Sequence, residues 1–134
     1  GLRERLLRFG IAFREKALSA EGLGFYRALV AETIRFPDLA ASFYRTGPAQ
    51  TAARLRAVLQ EAMDAGELCP TDPEFATTTL LSMLVGAERS HYLLSGEAPP
   101  KPDAKRVAHI IDSYLRAFAP NEAASHPVLQ RSTP

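Results

Sequence analysis

The spacing with most chemical content is Glu88-Arg89-Ser90-His91, a Glu-x-x-His. On a helix, residues three apart share a face, and di-iron helix bundles use this pair as half of a metal site. Such a site takes a second Glu-x-x-His and two further glutamates. The chain has only three histidines, so no metal site is expected. Gly22-Leu23-Gly24 lacks the third glycine and the leading strand of a dinucleotide loop, and no phosphate loop or nucleophile elbow occurs. Cys69 precedes Pro70 with no basic neighbour to favour a thiolate, and a single cysteine supplies neither an internal disulfide nor a multi-cysteine zinc site. His109 and Asp112 read as a solvated or interfacial pair. The chain is expected to be no enzyme and to carry no cofactor.

What remains is a capacity to bind. Phe9, Phe13, Phe25, Tyr26, Phe36, Phe43, Tyr44, Met83 and Tyr92 are large and polarizable, and they are expected to turn toward the interior. Pockets between helices are lined by such side chains with a few polar groups added, and Thr33, Ser82, Arg89, Ser90 and His91 can supply those. The pocket residues chosen are Phe9, Phe13, Tyr26, Phe43, Leu59, Met83 and His91. Plain core packing is the alternative for each aromatic.

The elements that must position these groups are all helical. Leu2, Leu6, Phe9, Phe13 and Ala17 fall on one stripe, with Leu7, Ile11 and Leu18 on a second, which predicts a helix over 2–18. Gly22 and Gly24 are expected to loosen the chain before a helix carrying Phe25, Leu29 and Phe36. Proline removes a donor and disfavours the helical conformation of the residue before it, so Pro37 ends that helix. A short helix over Asp38–Thr46 follows, then another from Gly47-Pro48 whose face is Thr51, Leu55, Val58, Leu59 and Ala62. Gly66 is placed as a C-terminal cap, and Asp72-Pro73 as an N-cap with proline at the first helical position. The helix from Pro73 to about Leu94 has no charge between Phe75 and Ala87, and the last runs from about Asp103 to Phe118. The fold class is an all-α bundle of about five to six helices, spanning 1–119, with a mobile tail over 120–134.

The last two helices are apolar over more of their circumference than a surface helix needs, which predicts pairing with a second copy as a four-helix bundle. The interface residues chosen are Leu81, Val85, Tyr92, Ile110, Ile111, Tyr114, Leu115 and Phe118. The alternative is that the preceding helices cover both faces.

With 134 residues, 46% hydrophobic and 23% charged, the composition is that of one globular domain, which excludes wholesale disorder. No apolar run reaches the roughly 18 residues of a membrane span, and no signal-like start occurs, so the expected location is the cytoplasm. A formal net charge of +1 does not favour a nucleic-acid surface. The charges are unevenly spread: residues 1–56 hold ten bases and five acids, while 57–88 hold six acids and no base.

Ala31-Glu32-Thr33-Ile34-Arg35-Phe36-Pro37-Asp38-Leu39, then Phe43-Tyr44 and Gly47-Pro48, resembles the start of the C-terminal domain of TetR-family transcriptional regulators. The subgroup with a Glu-x-x-Arg-Phe-Pro-x-Leu segment is the nearest match. Gly66-Glu67-Leu68, Asp72-Pro73 and the apolar helix ending near Gly86 continue it, over about residues 25–96. The resemblance implies a homodimer joined by its last two helices, with a pocket for a small, largely apolar effector. Effector binding then changes the spacing of two N-terminal helix-turn-helix heads, so that a repressor leaves operator half-sites about one DNA turn apart. No motif in these residues supplies such a head, so operator DNA is a partner only through one. Helix 2–18 would lie next to it, with Arg3, Arg5, Arg8, Arg14 and Lys16 either toward DNA or simply solvated. The rival function is a helical protein–protein interaction module without a ligand.

Overall fold

A computed structural model of the chain describes residues 1–120. Among the described residues there are six helices and no strand: α1 (Leu2–Ala17), α2 (Ala20–Glu32), α3 (Pro37–Thr46), α4 (Pro48–Asp64), α5 (Pro73–Ser95) and α6 (Ala104–Ala117). The tail assigned to 120–134 lies, after residue 120, outside the described residues.

Local chemistry sets the boundaries. Pro37 and Pro48 open α3 and α4 at positions where a missing N–H costs nothing. Gly66 takes φ +76° after α4, and the Glu67 N–H donates to the Ala62 carbonyl at 2.8 Å, a Schellman-type closure. Asp72 accepts from the Glu74 N–H at 3.0 Å to start α5, and Asp103 accepts from the Arg106 N–H at 3.1 Å to start α6. The first two helices are joined differently from the sequence expectation. Gly22 and Gly24 lie inside α2, which begins at Ala20 because Ser19 caps it, accepting from the Gly22 N–H at 2.9 Å. The chain turns there so tightly that a Cβ on Gly22 would collide with the Lys16 carbonyl oxygen.

The core lies between α1, α4, α5 and α6, with Leu6, Leu55, Leu59, Leu80, Leu84, Val107 and Ile111 fully enclosed. Apolar burial of this kind contributes about 1.5–3 kcal/mol per large side chain before entropy is counted. The buried line of α1 is Leu2, Leu6, Gly10 and Arg14. Phe9, Phe13, Leu7, Ile11 and Ala17 sit on its shoulders, partly buried against the core. The stripe read from apolar residues alone is therefore displaced. Its true centre carries a glycine because α5 and α6 come too close for more. A Cβ at Gly10 would stand 2.8 Å from Val107 Cγ1 and 3.1 Å from Leu84 Cδ2.

Arg14, one turn further, is buried as well. It makes a two-pronged ion pair with Glu88 at 2.9 and 3.1 Å and donates to the Leu84 carbonyl. Arg106 of α6 donates to the same Glu88 carboxylate at 2.8 Å. One carboxylate thus joins α1, α5 and α6. The Arg14 hydrogen bond, helped by both positive charges, holds Glu88 below the ordinary glutamate range against the opposing effect of burial. The basic residues of α1 follow the same logic elsewhere: Arg3 pairs with Asp112 at 2.8 Å and Arg5 with Glu61 at 3.1 Å. Of the five bases assigned to a solvated or DNA-facing side, Arg8 and Lys16 lie exposed without such a partner among the described residues.

Candidate functional site

Four helices form a ring, each packed on the next. α2 packs on α3 and α5, and α4 packs on α3 and α5, while no extensive contact joins α2 to α4 or α3 to α5. Two members of this ring are barely anchored. α2 buries only Leu23, and α3 only Ala40. Their apolar side chains are left open instead: Phe25, Val30, Ile34, Phe36, Leu39, Phe43 and Tyr44 are all exposed, Ile34 at 92%. Most of the aromatics assigned to the interior on α2 and α3 are therefore on the surface. The segment is too short, and too interrupted by Pro37 and Gly47, to turn every apolar residue toward one core.

The contacts of α2 run to α3 on one side and to α5 on the other. Phe25 meets Phe43 of α3 edge-on, with ring centroids 5.9 Å apart. The Arg89 guanidinium of α5 lies 4.3 Å above the Tyr26 ring, and Arg27 reaches the Leu93 carbonyl of α5 at 3.5 Å. At about 100° per residue, Phe25, Leu29 and Tyr26 occupy a single arc of α2. One edge of that arc touches α3 and the other touches α5, so the arc faces the space between them.

The seven side chains assigned to a pocket are distributed over several places. Tyr26 meets Arg89 of α5, and Phe43 meets Phe25 of α2. Phe9 and Phe13 stack on each other at 5.6 Å on the shoulder of α1. Leu59 is fully enclosed in the core. Met83 points outward from α5, and His91 is exposed with its Nε2 2.8 Å from a Glu97 carboxylate oxygen. Phe25 and Leu29 were absent from that set and belong to the α2 arc. Arg89, named only as a possible polar contributor, stands at its edge. Thr33 is used locally, its hydroxyl donating to the Leu29 carbonyl at 2.8 Å. Glu88 and His91 do not converge, since one faces the two arginines and the other Glu97. Among the described residues no group of three or more His, Cys, Asp or Glu is placed to hold a metal ion.

Two hollows lie elsewhere. One, of about 300 Å³, runs between the end of α1 and the start of α6, lined by Ile11, Leu18, Pro100, Pro102 and Val107. The other, of about 390 Å³ and wide open, follows the outer side of α5 along Phe75, Thr78, Thr79, Ser82 and Met83. This outer side carries no charge from Phe75 to Ala87.

The residues assigned to pairing need correction. Val85, Ile111, Tyr114 and Phe118 are buried in the protomer's own core. Tyr114 donates its hydroxyl to the Ala76 carbonyl at 3.0 Å, burial pushes its phenol well above the ordinary tyrosine range, and Phe118 stacks on its ring at 4.4 Å. Side chains used in this way offer nothing to a second copy. Leu81, Tyr92, Ile110 and Leu115 are half-buried.

The comparisons with known proteins agree with this architecture. The family model for the C-terminal domain of AefR-like transcriptional repressors, a TetR-type domain, matches residues 4–120. A solved structure from Mesorhizobium loti, described as a TetR-family transcriptional regulator, superimposes with a TM-score of 0.71 at 19% identity, over 88% of this chain. The aligned part spans 57% of that protein's length. No curated protein matches the sequence.

Proposed function

The chain belongs to the TetR family, as a C-terminal domain of the AefR-like repressor type, and from that premise we propose that residues 1–119 sense a small, largely apolar effector and dimerise. The family is one of transcription regulators and not a class of enzymes. Among the described residues no helix is long and apolar enough to cross a membrane. In this reading operator DNA is contacted by an N-terminal helix-turn-helix head, in the cytoplasm, and effector binding releases the repressor.

The observation that carries the reading is the set of exposed aromatics on the two least anchored helices, α2 and α3. Exposed apolar surface of this extent marks a binding site in a soluble domain, and low local stability lets such a site reshape around its ligand. The partner is a second copy of the chain. Its contact is better assigned to the outer side of α5, along Phe75, Thr79, Ser82, Met83 and Gly86, than to the core residues named from sequence. The exposed Val30, Ile34 and Leu39 favour a second reading, a helical protein-binding module without a ligand.

Native mass spectrometry of the purified chain tests both. The first reading expects a species at twice 14.6 kDa, converted to monomer by Met83→Glu, and a gain in thermal stability with an apolar small molecule. A wild-type monomer would remove the dimer, and no response to any apolar compound would favour the protein-binding module.

A further inference from the structure

Arg14 has donors that its partners do not use. A guanidinium carries five N–H groups. Arg14 donates from Nη1 to the Leu84 carbonyl and to Glu88, and from Nη2 to Glu88, while Nε makes no hydrogen bond among the described residues. The residue is only 6% exposed, yet among the described residues no fully buried side-chain nitrogen or oxygen is left without a partner. Nε therefore still reaches open space. Arg14 lines the hollow of about 300 Å³ between the end of α1 and the start of α6, so this donor is available to a molecule held there.

The rest of the lining suits an apolar body. Ile11 comes from α1, Leu18 caps that helix, Val107 comes from α6, and the connector adds Pro100 and Pro102, whose backbone is stiffened by the ring. Leu18 and Val107 are fixed in the core. The charged groups of the lining cancel, Arg14 and Lys101 against Glu15 and Asp103, so the hollow does not select an ion. A neutral acceptor oxygen gains the Nε donor without that competition. A dry cavity of about 150 Å³ holds benzene, so a space of about 300 Å³ admits a fused pair of rings. We propose that this hollow is a small-molecule site for an uncharged fused-ring compound whose carbonyl oxygen accepts from Arg14 Nε. The site shares no residue with α2 or α3 and does not rest on their reading as the effector site. A molecule held there braces α1 against α6 beside the Glu88 pairing.

The test titrates the 134-residue chain with indan-1-one and with indane, which share a ring skeleton and differ in the carbonyl, followed by proton–nitrogen NMR. Indan-1-one is expected to bind about tenfold more tightly, the scale of one hydrogen bond from a charged donor. It should also move the Arg14 Nε–H resonance, which indane leaves in place. Ala104→Phe, at an exposed position that lines the hollow, should fill it and abolish binding of both compounds without loss of thermal stability. Phe43→Ala, on α3, should change neither affinity. Equal affinities, or an Nε–H resonance that indan-1-one does not move, would overturn the carbonyl contact and with it the proposed ligand class. Binding of neither compound would overturn the site. Binding that survives Ala104→Phe, or is lost in Phe43→Ala, would place the compounds elsewhere and overturn the proposal as well.

Discussion

Two parts of this small domain are built to opposite standards. α1, α4, α5 and α6 share an enclosed core, and a single Glu88 carboxylate joins three of them. α2 and α3 contribute one buried side chain each and leave seven large apolar residues open. Their side-chain contacts with the frame include a cation over a ring and a long hydrogen bond, each individually weak. The difference separates two jobs. The frame sets the global stability and geometry, and the α2–α3 segment lies at the low-stability end, as the proposed effector site requires.

Replacing Glu88 by Gln attacks the frame where it is most concentrated. Arg14 would stay buried without its carboxylate, a loss of about 3–5 kcal/mol for breaking one partner of a buried pair. A drop in the urea midpoint worth less than about 1 kcal/mol would mean that the hub matters little, and the contrast would weaken. The same carboxylate sets an acid sensitivity. Its pKa is lowered on folding, so its stabilisation is complete above the ordinary glutamate value of about 4.3 and disappears as pH falls through the lower, folded value. Wild-type stability should therefore fall more steeply than that of Glu88→Gln as pH is lowered below about 4.3, in paired acid titrations followed by circular dichroism.

A smaller loss is expected from Gly10→Ala. Alanine favours a helix, but its methyl would meet Val107, a stiff side chain in the enclosed core. The crowding should win, for a net cost of about 1–3 kcal/mol by thermal denaturation. The smallest effect belongs to the other region. Ile34→Ser removes a side chain that is 92% exposed and should shift stability by no more than about 0.5 kcal/mol. A cost near 2 kcal/mol would show that α2–α3 is as tightly integrated as the frame.

What the sequence reveals follows the range of the interaction. Asp72, Pro37, Pro48 and Gly66 act on the residues next to them, so helix boundaries and the all-helical class are legible from the chain alone. Ser19 is equally local, yet its cap was hidden by reading Gly22 and Gly24 as a break rather than as the first turns of a helix. Arg14 is different in kind. A charged residue on an amphipathic stripe reads as solvated, and only Glu88, 74 positions away, makes its burial tolerable. Gly10 has no apolar side chain to register in a periodicity, though it marks the closest approach of α1 to α5 and α6. The aromatics of α2 and α3 misled in the opposite direction, because side-chain type indicates what could be buried and not whether a surface exists to bury it against. Tyr26 and Phe43 were legible as aromatics at helical spacing, but not the neighbours they meet. The stacking of Arg89 on Tyr26 depends on how α2 packs against α5, which no local pattern encodes.

The turn between the first two helices has a genetic consequence. Every other amino acid carries a Cβ, so every missense change at codon 22 places a carbon against the Lys16 carbonyl oxygen, whatever the chemistry of the rest of the side chain. In a saturation library position 22 should therefore lack the usual graded preference among small, polar and bulky residues, with serine and alanine depleted alongside tryptophan. At Gly24, two residues on, an added Cβ meets no neighbouring atom within 4 Å, so the same library should recover a broad set of replacements there.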